Sequence, residues 1–346
     1  MKELIKKLSD MRGISGFEYR INEEIKKLFE PYADEVYIDD MGNVTAVKKC
    51  GKQNAKKVLL EAHADEIGLM VKDIDERGFI TIVNVGGVDP RILPSSEVIV
   101  HAKRDIKGVI GAKPPHLQAG GEADKSSKIT DMAVDTGLSA DEVKKLVSIG
   151  DSITLSQSSG ELLSGQLSGK SLDDRASIAA LVTVLKNLER FELDVDVYAV
   201  AAVKEEVGGF GAMTAAYRIN PDIAIAVDVC HGVTPDNSYS AYELGCGAVV
   251  TCGPNIHPKI FDRLMDTARE YNIKTEIDVD GGNTGTDAWV MQVVRSGIPT
   301  GLLSIPLKYM HTSVETVAVS DVKAVCDLLT FFVQKLDADM EEWLCL

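Results

Sequence analysis

Residues 58–65 read Val58-Leu59-Leu60-Glu61-Ala62-His63-Ala64-Asp65. They follow a Lys-rich loop and are nearly all apolar, as a strand buried on both faces would be. The run ends in two side chains that can do chemistry. His63 and Asp65 are two apart, so they share a strand face. A metal-bound imidazole wants a carboxylate or carbonyl on its other nitrogen, which fixes tautomer and basicity. His63 as a ligand, with Asp65 steering it, fits that need. Polar groups at the end of a buried strand point to an α/β sheet, whose sites lie in the loops beyond the strand C-termini.

Other stretches repeat the pattern. Tyr198 to Val203 is apolar and delivers Glu205-Glu206 into the Gly208-Gly209 turn. Neighbouring residues point in different directions, so one Glu can bind metal while the other handles protons. Ala224 to Val227 ends in Asp228, and Ile305-Pro306-Leu307-Lys308-Tyr309-Met310 leads to His311. Asp173 and Asp174 sit together at a helix entrance, where an N-cap is an equal alternative. A lone strand-end His is more often structural than a ligand, and a Glu-Glu pair is more often a solvated surface pair. The joint occurrence shifts the balance. Two histidines and several strand-end carboxylates suit two metal ions sharing one bridging carboxylate. Such N/O ligation favours Zn²⁺, or Co²⁺ or Mn²⁺ where carboxylate is prominent.

The texture of the chain changes twice. Before residue 67, helical faces (Leu4, Ile5, Leu8, Met11; then Ile21, Ile25, Leu28) precede strand signals at 36–38, 44–47 and 58–62. From 67 to 164 short strand candidates recur at 67–74, 79–85, 97–101, 107–112 and 153–156, separated by Gly, Pro and Asp turns. That spacing favours a small β-sandwich or barrel. Ser139 and Glu142 form a capping box for a helix over 140–147, and 114–135 reads as a long polar loop. After Gly165, helices at 175–190, 257–272 and 320–336 alternate with strands at 196–203, 223–229, 248–251 and 300–304, which means helices covering a sheet. The economical reading is one α/β domain made of 1–66 and 165–346, interrupted by a β-rich insert, 67–164.

Composition bounds the function. Of 346 residues 45% are hydrophobic and 26% charged, a globular balance with ample material for a core. Lys and Arg total 37 against 53 Asp and Glu, a net −16. Nucleic acid and anionic membrane surfaces are therefore excluded as partners, because both need clustered Lys and Arg. The N-terminal MKELIKKLSDM reads as an amphipathic helix rather than a signal peptide. Six scattered cysteines without CxxC spacing give no disulfide framework. A reduced, cytoplasmic protein is expected.

The motifs EAHADEIG (61–68), GKSLDDR (169–175), KEEVGGFGA (204–212), DVCHGVTPD (228–236), TGTDA (284–288) and IPLKYMHTSVE (305–315) occur in this order. With them the chain closely resembles, over its length, the M42 family of di-metal aminopeptidases, which includes the tetrahedral (TET) and glutamyl aminopeptidases. Some members carry an older cellulase or endoglucanase label. The resemblance implies a zinc-exopeptidase-like catalytic domain with a mixed sheet, and a PDZ-like dimerisation domain as the insert. It implies that His63 and Asp228 bind one metal, that Glu206 and His311 bind the other, and that Asp173 bridges both. Glu205 would be the general base for a water between the metals, and Asp65 would orient His63. The peptide bond after the bridging Asp would be cis. Gly285, Thr286 and Asp287 would form part of the substrate-pocket wall, with Lys308 near the substrate. Members form dimers and often twelve-subunit shells, and the loop bearing His116 would approach a partner's site, although a solvated loop histidine weighs as much. His101, His231 and His257 match no ligand position. Two departures bear on specificity: Gly209-Phe210-Gly211-Ala212 stands where many members have Leu-Arg-Gly-Ala, and Lys308 stands where Arg is frequent.

The expectation is hydrolysis of N-terminal residues from peptides. The alternative is a deacylase or amidase acting on small N-acyl substrates with the same centre. A glycosidase is disfavoured, since these carboxylates are better explained as ligands than as an acid–nucleophile pair. An inactive scaffold would have lost at least one ligand or Glu205.

Overall fold

The computed structural model describes residues 1–112, 128–237 and 239–345. His116 lies outside them. Among the described residues, β1 (Glu35–Ile38), β2 (Val44–Lys48) and β3 (Lys56–His63) open the strand order. Six more strands follow: β4 (Gly68–Ile74), β5 (Ile80–Val85), β6 (Glu97–His101), β7 (Asp105–Ile110), β8 (Ala133–Asp135) and β9 (Ser152–Leu155). The remainder are β10 (Gly160–Glu161), β11 (Gln166–Gly169), β12 (Val195–Ala202), β13 (Ile223–His231), β14 (Ala248–Cys252), β15 (Thr275–Val279), β16 (Thr300–Lys308) and β17 (Glu315–Ala318). The helices used below are α1 (Lys2–Ser9), α2 (Asn22–Phe29), α3 (Ala140–Leu146), α4 (Leu172–Leu188), α5 (Phe210–Ile219), α6 (Pro258–Glu270), α7 (Asp287–Met291) and α8 (Val319–Gln334).

The strands form a mixed sheet and a closed barrel. The sheet runs β1-β2-β12-β3-β13-β16-β17-β11-β10, with β14 and β15 branching from β16. Its centre is parallel: β12 pairs with β3, β3 with β13, and β13 with β16. Both faces of these strands are apolar because both are covered. Val58, Leu60 and Ala62 of β3 join the large core with α1, α2, α4 and α8. Leu59 joins a second core with Ala212 and Ala216 of α5 and Met291 of α7. The parallel strands therefore end along one edge, and their last polar residues come out beside one another.

The barrel runs β4-β5-β8-β7-β6-β9 around its own apolar interior, which includes Leu69, Ile82, Val100, Val134 and Ile153. Helix α3 carries the Ser139–Glu142 capping box. The long loop expected at 114–135 is corrected at its C-terminal end. Residues 129–131 form a 3₁₀ turn, and β8 closes the barrel between β5 and β7. In β8 only Val134 is buried, so its alternation is too short to show against the polar residues around it.

A buried polar knot joins three distant pieces of chain at the base of the site. The Arg175 guanidinium donates to the carbonyls of Leu8 (3.1 Å), Gly13 (3.1 Å), Ala64 (3.0 Å) and Met11. It also reaches Glu66 Oε1 at 3.3 Å, while Lys170 Nζ donates to both Glu66 oxygens at 2.8 and 2.9 Å. Arg175 is fully buried and Glu66 nearly so. Without Arg175, Glu66 keeps Lys170, but the buried carbonyls of Leu8, Met11, Gly13 and Ala64 lose their donor. Arg175→Ala should therefore cost about 3–5 kcal/mol of stability in chemical denaturation. A loss below about 1 kcal/mol would mean that the knot is not what fixes the N-terminal segment.

Candidate metal centre

The site is built where β3, β12, β13 and β16 end. His63 is the last residue of β3, and its register partner in β12 is Ala202, just before the Lys204–Gly209 turn. Asp228 stands opposite Ser304 of β16 near the end of β13. Asp173 follows β11 at the entrance to α4, and His311 follows β16. Asp173 and Asp174 leave helical angles, and the bond between them is cis. Neither carboxylate caps α4. Asp173 turns to the two histidines, and Asp174 accepts from the His63 main-chain N–H at 3.2 Å.

Asp173 lies between the imidazoles. Its Oδ1 is 3.1 Å from His63 Nε2, and its Oδ2 is 3.4 Å from His311 Nε2. His311 Nε2 is also 3.2 Å from Glu206 Oε1. The ligand atoms of His63, Asp173 and Glu206 lie within 4.8 Å of one another, and so do those of His63, Asp174 and Asp228. Asp174 is thus a further candidate donor; it stands in the Asp173-Asp174 pair for which site and N-cap weighed equally, and the family resemblance gives the ligand role to Asp173 alone. Glu205 Oε2 stands 3.9 Å from His63 Nε2. Both Glu205 and Asp228 face the cavity.

The backbone beneath these side chains is held by other buried carboxyls. Asp65 accepts from the N–H groups of Glu205 (3.1 Å) and Glu206 (3.2 Å) and from the Ser15 hydroxyl. Its carbonyl takes the closer contact with His63 Nδ1, 3.2 Å, against 3.6 Å for its carboxylate. Asp65 is therefore placed to steer His63 through its main chain while its carboxylate fixes the Glu-Glu turn. Glu315 accepts from Asp173 N at 3.1 Å and from His311 N at 2.9 Å. Glu18 accepts from Lys204 N at 3.0 Å. Glu18 and Glu315 carry no motif that marks such a role in advance.

A cavity of about 680 Å³ opens over the site. Gly285 and Thr286 line it with Asp278, Asp280, Tyr242 and Leu302. Asp287 does not line it; it is buried beneath Gly209, whose added Cβ would lie 2.8 Å from the Asp287 carboxylate. Lys308 does not line it either, and its stem lies against Gly232. His231 lines the cavity. His101 is tied to Asp105 and Thr154 within the barrel, and His257 precedes α6.

Charge decides what the site can hold. Burial lifts the Glu205 carboxyl to about 9, against the pull of His63 and with the push of Asp228, Asp287 and Glu206. Burial raises Asp228 to about 8 and Asp287 to about 6. Burial would lower His311, but Asp173 and Glu206 outweigh it and hold the imidazolium up to about 11. Burial would also raise Asp173, yet its hydrogen bonds with His311 and His63 hold it far below the usual range. Among the described residues no Lys or Arg lines the cavity. So many converging carboxylates stay ionised only beside added positive charge. Imidazole nitrogens and carboxylate oxygens are donors suited to Zn²⁺, Co²⁺ or Mn²⁺, so the residues fit a metal centre.

The family model described as M42 glutamyl aminopeptidase matches residues 42–328. The lysyl aminopeptidase of Pyrococcus furiosus is 36% identical, covering 96% of this chain and 97% of that protein. The TET aminopeptidase of the marine sediment archaeon Thaumarchaeota archaeon SCGC AB-539-E09 superposes with a TM-score of 0.93 at 29% identity, covering 99% of each chain. The TET1 peptidase of Pyrococcus horikoshii, which can assemble into a tetrahedron or a large octahedral shell, gives 0.85 at 30%, covering 97% and 99%. The chain belongs to the M42 family of metal-dependent aminopeptidases.

The charge balance predicts how the metal-free chain responds to pH. Glu205, Asp228 and Asp287 have folded pKa values above the ordinary carboxyl range, so the folded state binds more protons than the unfolded one. The stability they contribute is present at low pH and is lost as pH rises through about 6 to 9. His311, raised from its ordinary value, acts with the same sign. The chelator-treated chain should therefore melt several degrees lower at pH 8 than at pH 5.5. The metal-loaded chain should show a flatter profile, because bound metal replaces those protons. A flat profile for the stripped chain would refute the crowding of ionisable groups.

Proposed function

We propose that this chain is a metal-dependent aminopeptidase that removes N-terminal residues from peptides. The observation that carries the reading is the meeting of His63, Asp173, Glu206 and His311 within ligand distance, with Glu205 beside them, on the floor of an open cavity. His63 and Asp228 would hold one divalent ion and Glu206 and His311 the other, with Asp173 shared; Zn²⁺ is favoured, and Co²⁺ or Mn²⁺ suit the same donors. When bound, two such ions would lower the pKa of a water and polarise a carbonyl. Glu205 takes the proton of the attacking water and returns it to the leaving amine, a role that requires a carboxyl placed at the reacting atoms. Asp65 holds the Glu205 main chain in place for that transfer.

The cavity supports a reading of specificity. Asp278 and Asp280 line it and, among the described residues, no Lys or Arg does. A cationic N-terminal residue is favoured over an acidic one, in line with the lysyl aminopeptidase among the relatives. Lys308, expected near the substrate, stands away from this wall. The closed barrel would serve as the PDZ-like dimerisation unit, and the named shells of the relatives support a homo-oligomer. The thiols of Cys50, Cys230, Cys246, Cys252 and Cys326 suit a reducing cytoplasm. Among the described residues no helix is long and apolar enough to cross a membrane.

Glu205→Gln should keep its metal by elemental analysis and lose about 10²–10⁴-fold in kcat. Near-normal turnover would remove Glu205 as the base. Lys-, Leu- and Glu-p-nitroanilides, each free and N-acetylated, should show cleavage of the free forms only, with Lys ahead of Glu. Cleavage of the acetylated forms would favour a deacylase. Native mass measurement separates a dimer from a dodecamer.

A further inference from the structure

The loop between β5 and β6 belongs to the barrel, yet it reaches the metal centre. Gly87 presents its carbonyl oxygen 3.1 Å from His311 Nδ1. Next to it, a Cβ on Gly86 would lie 3.3 Å from the Glu206 Cβ. The loop is fixed from the barrel side. The Asn84 side chain donates to the Gly86 carbonyl at 2.9 Å, the Val88 N–H donates to the same carbonyl at 3.0 Å, and Val88 is seated in the barrel core.

His311 needs an external hold. It lies in an irregular loop after β16, with Tyr309 and His311 both at positive φ. Its side chain is 32% exposed, against 2% for His63. Glu315 ties its main chain but not its ring. An imidazole that donates from Nδ1 keeps the lone pair on Nε2, and Nε2 is the atom that faces Asp173 and Glu206.

We propose that Gly87 is a positioning residue of the metal centre: its carbonyl sets the ring and tautomer of His311, so one of the two metal positions depends on how the barrel is seated. This rests on His311 being a ligand, as proposed above. The absence of a side chain at residue 87 is part of the device. A Cβ there would lie 2.8 Å from His311 Nδ1 and 3.0 Å from its Cε1, and among the described residues, its own chain neighbours aside, it would meet no other atom within 4 Å. Gly87 has no positive φ, so alanine fits the backbone and disturbs the imidazole alone.

Gly87→Ala supplies the test, with Zn²⁺ as the probe and chelator competition as the readout. The variant should bind the first Zn²⁺ as the unmodified chain does and the second about 10- to 100-fold more weakly. The melting temperature of its metal-free form should be unchanged. Excess Zn²⁺ should restore kcat with KM unaltered, which a general folding defect would not allow. Two Zn²⁺ held at unmodified affinity, or both weakened together, would overturn the proposal. His311→Ala separates the two readings. If that variant still binds two Zn²⁺ normally, His311 is not a ligand and the proposed metal assignment fails; if it loses one while Gly87→Ala loses none, only the role of Gly87 fails.

Discussion

Main-chain N–H groups at residues 63, 173, 204, 205, 206 and 311 all donate to buried or half-buried carboxyls. The acceptors are Asp174, Glu315, Glu18 and Asp65. These contacts fix the points from which the candidate ligands project. A buried carboxyl is costly unless its oxygens are hydrogen-bonded, and a charge-assisted bond to a backbone N–H is among the stronger compensations. Each such acid therefore has few alternative positions. Glu315 spans two segments far apart in sequence, and Asp65 fixes two consecutive residues with one carboxylate. The site is held by the backbone first and by side-chain packing second.

The same economy appears one layer further out. Arg175 and Lys170 gather around Glu66 and bind the carbonyls of the N-terminal segment to the piece of chain that carries Asp173. Here the positive charges belong to the protein and the knot is self-sufficient. At the centre itself the carboxyls outnumber the imidazoles and no Lys or Arg among the described residues lines the cavity, so a bound cation would supply the balancing charge. The barrel adds the last constraint by placing Gly86 and Gly87 against Glu206 and His311. An element that shares no strand pairing with the main sheet thereby takes part in the geometry of its active edge.

Much of the site was legible in the sequence because each of its residues ends an apolar strand or opens a helix. His63, Asp173, Glu205, Glu206, Asp228 and His311 all come to one cavity. Of the acids that hold their backbones, Glu18 and Glu315 were not legible, because a carboxyl that accepts main-chain N–H groups has no sequence signature. Of the residues expected at the substrate wall, only some line this cavity. Gly285 and Thr286 face the cavity, but Asp287 is buried behind it and Lys308 stands aside. Asp278 lies on β15, which sits beside the cavity only because β14 branches from the middle of β16.

The sequence alone determined the alternation of strands and helices, the change of texture between 67 and 164, and the residue types available for metal and proton chemistry. Those follow from local periodicity, which each segment carries in itself. Tertiary structure decided which carboxyl faces which imidazole, that Asp174 turns to His63 rather than capping its helix, and that a barrel glycine meets His311. These depend on strand order and register among segments more than a hundred residues apart, and no local pattern of polar and apolar residues encodes such a distance.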